Sequence, residues 1–97
     1  MAKSIHRDEY RRIIEELRAR REALGLTQTA LAHRLDRSQQ WVSLLEGGSR
    51  RLDIVEYVEL CGALETDPLE GLQTLILRLR QLPKRRVKTS RIRRVAQ

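Results

Sequence analysis

The stretch TQTALAHRLDRSQQWVSLLEGG, residues 27–48, constrains the fold more than any other part of the chain. It carries two short helical patterns separated by two or three residues. Isolated helices below about 12–15 residues are marginal in water. Both must therefore rest on a scaffold built by the remainder of the chain, and each can offer only one short face to the outside.

The scaffold is legible on both sides of that stretch. Tyr10, Ile13, Ile14, Leu17, Arg21 and Leu24 fall on one helical stripe that stops at Gly25. Arg21 is the odd member of this stripe. Either its stem packs and its head reaches water, or it meets an acid from another helix, for which Glu46 is the candidate. Thr27 is placed to cap the second helix, with Leu31 and Leu35 inward, and Asp36 and Arg37 turn the chain. Ser38 caps the third helix, and Gly47 and Gly48 suit a left-handed C-terminal end. Asp53 caps a fourth, unusually apolar helix carrying Ile54, Val55, Tyr57, Val58, Leu60, Cys61 and Leu64. Asp67 followed by Pro68 opens a fifth, with Leu69, Leu72, Leu75, Ile76, Leu79 and Leu82, which Pro83 ends. The expected fold is all-α. It comprises a short extension with the start of helix one over 1–12, a helical domain over 13–82 and a basic tail over 83–97.

Charge is unevenly placed along this plan. The net charge is +7. Residues 83–97, PKRRVKTSRIRRVAQ, hold seven basic side chains and no acid. Residues 1–51 carry 11 basic against 7 acidic groups, and residues 52–82 carry 2 against 6. One end of the domain should attract a polyanion and the other repel it, which orients an encounter. The tail is too basic to bury itself. It reads as a solvated end, as an extra arm on nucleic acid, or as a segment that folds on a partner through Val87, Ile92 and Val95. If it is an arm, deleting 83–97 should flatten the slope of log K against log salt by roughly 2–4 while base preference persists, since each phosphate neutralised contributes about −0.9. An unchanged slope would remove that reading.

The third helix supplies the face of interest. At 100° per residue Val42 and Leu45 turn inward with Ser38, while Gln40, Ser43, Leu44 and Gly47 occupy the opposite arc and Gln39 projects from the first turn. The exposed edge is short, uncharged and rich in amides. Glutamine can pair bidentately with adenine N7 and N6 in a major groove. Acids there would be repelled by phosphate, and lysines would bind without discrimination. Thr27 and Gln28 at the start of the second helix are placed to hold a phosphate, as are Ser38 and the loop residues Ser49, Arg50 and Arg51. Trp41 packs either on the sugar-phosphate backbone or as a half-buried brace beside helix two.

These residues carry a resemblance. GLTQTALAHRLDRSQQWVSLLEGGSRRLDIVEYVELCGALETDPLEGL resembles the lambda-repressor and Cro-like (XRE-type) helix-turn-helix family, through its Gly-Leu-Thr-Gln start, Leu31-Ala32, the inward Val42 before Ser43, and the Leu-Glu-x-Gly end of helix three. The resemblance covers residues 13–75. It implies a five-helix bundle, two-fold dimers, and helix three lying in a major groove. It also implies that Gln28 and Gln39 contact phosphates or brace one another, that Gln39, Gln40, Ser43 and Leu44 face bases, and that Arg21 pairs with Glu46. Leu44 departs from the polar base reader common in phage repressors, so it touches a thymine methyl or nothing.

The remaining inventory excludes more than it adds. Cys61 is the sole cysteine, so an intramolecular disulfide and a zinc cluster are ruled out, and an inert core thiol is expected. No apolar run of membrane-spanning length exists, and a reducing cytoplasm fits best. His6 and His33 lack ligand or catalytic partners. No enzyme, metal or cofactor is expected. The apolar surplus of helix five, namely Leu72, Leu75, Ile76, Leu79 and Leu82, reads as a homodimer interface, with a wider intramolecular groove as the alternative. The expected function is a transcription regulator, acting as a homodimer on an inverted repeat of double-stranded DNA. The alternatives are the antitoxin of a toxin–antitoxin pair, with a toxin as partner, and an adaptor for protein or RNA.

Overall fold

The computed structural model describes residues 7–81 as five helices. They are α1 Asp8–Ala23, α2 Gln28–Leu35, α3 Gln39–Glu46, α4 Ile54–Ala63 and α5 Pro68–Arg80. Each start after the first has a side-chain cap. Thr27 accepts from the Ala30 N–H, Ser38 from Trp41, Asp53 from Glu56 and Asp67 from Leu69. Such a cap satisfies one of the donors that a helix N-terminus leaves open.

The helix ends share a second device. Gly25, Asp36, Gly48 and Glu65 all take positive φ, and the N–H of the residue after each reaches back into the last turn. Leu26 donates to Arg21, Arg37 to Ala32, Ser49 to Leu44 and Thr66 to Cys61. Each is a left-handed end that reverses the chain tightly. Of the two glycines expected to close α3, only Gly48 is left-handed; Gly47 is right-handed at φ −79°.

The core is almost wholly aliphatic. Ile13, Ile14 and Leu17 of α1 meet Leu31 and Ala32 of α2, Val42 and Leu45 of α3, and Tyr57, Leu60, Cys61 and Leu64 at α4. Two arginines tie the far end of α4 to the first two helices. Arg20 donates to the carbonyls of Leu64 and Glu65, both at 2.8 Å, and Arg34 donates to that of Ala63 at 2.8 Å. Positive groups there satisfy open carbonyls and complement the helix dipole. Burial pushes the Cys61 thiol pKa up, as befits an inert core sulfur.

Helix α5 packs differently. None of its residues is buried, although Leu72 and Leu75 lean on the core. It is fastened by the Tyr57 hydroxyl, which donates to the Pro68 carbonyl at 3.0 Å. Gly71 lies so close to that hydroxyl that a methyl group would overlap it. The Arg78 guanidinium adds a 2.7 Å contact to Glu16 of α1. Between α1, α4 and α5 runs an apolar groove of about 380 Å³, with Tyr10, Ile13 and Tyr57 on one wall and Leu72, Leu75 and Leu79 on the other.

Candidate nucleic-acid interface

Helices α2 and α3 pack against each other with their N-termini on the same open side. Val42 and Leu45 anchor α3 at 0% and 3% exposure, while Gln39, Gln40, Ser43 and Leu44 are all exposed. Val42 and Leu45 turn inward as the 100° periodicity requires, whereas Ser38, expected beside them, is exposed because it is the N-cap and lies outside the helix. Thr27 and Ser38, also exposed, accept backbone hydrogens at 3.0 and 3.1 Å. Each hydroxyl keeps its own hydrogen to donate. Both stand at helix starts, where free N–H groups and the dipole favour an anion.

A chain of four side chains fixes the polarity of this surface. The Arg21 guanidinium, 7% exposed, donates to Glu46 at 2.7 and 3.1 Å and to the Leu26 carbonyl at 2.6 Å. The Glu46 carboxylate is an acceptor only, so Gln28 must turn its Nε2 toward it, at 2.9 Å. That leaves the Gln28 oxygen facing Gln39, whose Nε2 donates to it at 2.8 Å. Gln39 then shows the outside its Oε1 and one remaining N–H, the acceptor and donor that an adenine edge requires. Gln40 has no internal hydrogen bond among the described residues, so its whole amide faces outward.

Beside this row lies a second cluster, around Trp41. The indole ring is half-buried between two guanidinium groups, Arg37 at 4.5 Å and Arg50 at 5.1 Å from its centre. Arg50 is bound at both ends of its fork to Glu56, at 2.9 Å each, and also donates to the Arg51 carbonyl at 2.8 Å. Arg37 approaches the same carboxylate at 3.6 Å. Glu56 also completes a capping box with Asp53. The Arg50 hydrogen bonds hold its carboxyl below the usual range.

This geometry bears on two of the expected phosphate contacts. Arg50 is paired with Glu56 and pins the loop between α3 and α4. The Trp41 side-chain Nε1 is buried without a hydrogen-bond partner among the described residues, and the ring braces α3 between the two guanidinium groups. Ser49 and Arg51 are exposed, and Arg51 makes no ion pair among the described residues. The parts that sequence reasoning passed over are Arg37 and Glu56. The spacing Asp53-x-x-Glu56 was the available signal, since it is that of a capping box.

The helix-five stripe is also redistributed. Leu72, Leu75 and Leu79 line the intramolecular groove, whereas Ile76 and Leu77 stay exposed at 47% and 52%. A larger apolar surface lies on α4, where Ile54, Val55 and Val58 are 62%, 63% and 50% exposed. Leu82 and the basic tail 83–97 lie outside the described residues, as does the segment 1–6.

A family model described as a helix-turn-helix domain matches residues 14–71. The chain is also similar to the solved structure of an XRE-family like protein from Pseudomonas syringae pv. tomato str. DC3000. The two share 39% identity with a TM-score of 0.70, over 76% of this chain and 90% of that one. The chain belongs to the XRE-type helix-turn-helix family. No curated protein matches it. In a helix-turn-helix domain the second helix of the motif is the one offered to DNA, and α3 is that helix here. Among the described residues no helix is long and apolar enough to cross a membrane, and no group of three His, Cys, Asp or Glu side chains is placed to hold a metal ion.

Proposed function

We propose that this helix-turn-helix protein is a sequence-specific transcription regulator that binds an inverted-repeat operator as a homodimer, and that it represses by overlapping a promoter. The observation that carries the reading is the outward edge of α3. Gln39, Gln40, Ser43 and Leu44 are exposed together, none is charged, and capping hydroxyls and amides flank them. A neutral reading edge between phosphate-binding groups is the division of labour that base recognition requires.

Each residue takes a role from its surroundings. Gln40 and Gln39 read base edges. Gln28 holds Gln39 in place, and Thr27, Ser38, Ser49 and Arg51 hold phosphates on either side. The two-fold partner covers exposed apolar surface at Ile76 and Leu77 of α5, together with Val55 and Val58 of α4, which a lone subunit leaves open to water. Two copies of α3 then meet major grooves about one helical turn apart, near 34 Å.

The test separates reading from holding. Gln40→Ala should weaken binding to the preferred duplex by about 1–3 kcal/mol and relax preference at one position in each half-site, whereas Arg51→Ala should weaken all duplexes alike. Duplexes selected from a random library, then titrated by fluorescence anisotropy at two salt concentrations, measure both. Unchanged preference in Gln40→Ala would remove Gln40 as a reader, and a single unrepeated half-site would remove the dimer.

A further inference from the structure

The outward arc of α3 contains one side chain that can neither donate nor accept a hydrogen bond. Leu44 is apolar and 41% exposed, among glutamines and a serine. Its position is firmly set, because its carbonyl accepts the N–H groups of both Ser49 and Arg50, at 2.9 and 3.2 Å. Gly47, one turn further on, has no side chain to cover it. A leucine held at the centre of a reading edge will strip water from whatever it meets.

In a major groove that choice is narrow. Guanine offers acceptors, cytosine a donor, and adenine one of each; the apolar group is the C5 methyl of thymine. Leucine over any of the polar edges would desolvate a donor or acceptor and return no hydrogen bond. The arc also lacks the Arg or Lys that most often engages guanine. Leu44 stands four residues after Gln40, on the same face and about 6 Å along the axis. That distance is close to two base-pair steps of about 3.4 Å.

We propose that Leu44 packs on the C5 methyl of a thymine about two steps from the base Gln40 engages, and makes α3 selective for an A·T pair there. The inference rests on the duplex-reading function above. Its test replaces each thymine of a selected duplex by deoxyuridine, which removes the methyl alone, and compares the wild-type protein with Leu44→Ala and Leu44→Met. One thymine per half-site should show about fourfold weaker wild-type binding on losing its methyl, the effect of one buried carbon. Leu44→Met keeps an apolar tip and should retain that sensitivity, while Leu44→Ala should lose it. Leu44→Ala should unfold at the wild-type temperature, because the side chain it removes is not part of the core. Equal sensitivity in Leu44→Ala and wild type, or none at any thymine, overturns the inference and leaves the regulator reading intact. Failure to select any duplex overturns both.

Discussion

Glu46→Ala is expected to destabilise the domain by about 3–5 kcal/mol, because it leaves the Arg21 guanidinium buried without its carboxylate. Both side chains are less than a tenth exposed, and their shortest contact is 2.7 Å. Hydrogen bonding to Glu46 raises the Arg21 pKa in the intact pair, and once Glu46 is removed a guanidinium is still too basic to escape by losing its proton. Among the described residues only the Leu26 carbonyl would still accept a hydrogen bond from it, with the exposed Glu22 carboxylate 3.9 Å away. Small domains have about 5–15 kcal/mol of stability in all, so this single change removes a large share. Urea unfolding at low protein concentration measures it. Removing both partners, as in Arg21→Met with Glu46→Leu, should cost less than Glu46→Ala, since no charge is stranded. A loss below about 1 kcal/mol in Glu46→Ala would show that water reaches the pair and that the network is not buried. The consequence extends to function, because Gln28 and then Gln39 take their orientation from the same carboxylate.

Leu64→Ala should cost about 2–5 kcal/mol, the range for emptying a closed aliphatic site. Leu64 is 0% exposed at the end of α4, where Arg20 and Arg34 hold the surrounding carbonyls in place and limit collapse around a void. Val58→Ser, six residues earlier within α4, should change stability by no more than about 0.5 kcal/mol, because Val58 is 50% exposed. Circular dichroism melts of both variants at low concentration would measure the contrast. Equal losses would mean that the outward apolar face of α4 is covered within one subunit.

That contrast marks the boundary of what the sequence can say. Periodicity identifies which residues of α4 share a face, yet Ile54, Val55 and Val58 are as apolar as Leu60 and Leu64. Which face is covered depends on where α1, α2 and α5 come to lie. The surplus leucines of α5 pose the same problem, and Leu72, Leu75 and Leu79 turn out to line a groove inside the subunit. Local chemistry was easier to read. Thr27, Ser38, Asp53 and Asp67 act within three residues of themselves, so their capping is written in short spacings. Gly25 and Gly48 mark left-handed ends because glycine has no Cβ penalty there. Glu65, which takes φ +58°, gives no such signal. Arg21 announced itself as a charge on an apolar stripe, and the family resemblance named its partner. Arg50 did not, since its capture by Glu56 depends on a loop path that no spacing encodes.

The central claim is that the outward edge of α3 enters a major groove. It is tested most directly by mapping amide chemical shifts of the 15N-labelled protein as a selected duplex is added. The largest changes should fall on residues 27–29, 38–47 and 49–51, with the side-chain amides of Gln39 and Gln40 shifting with them. Changes confined to the exposed face of α4 and to α5, with the Gln39 and Gln40 amides unmoved, would contradict it.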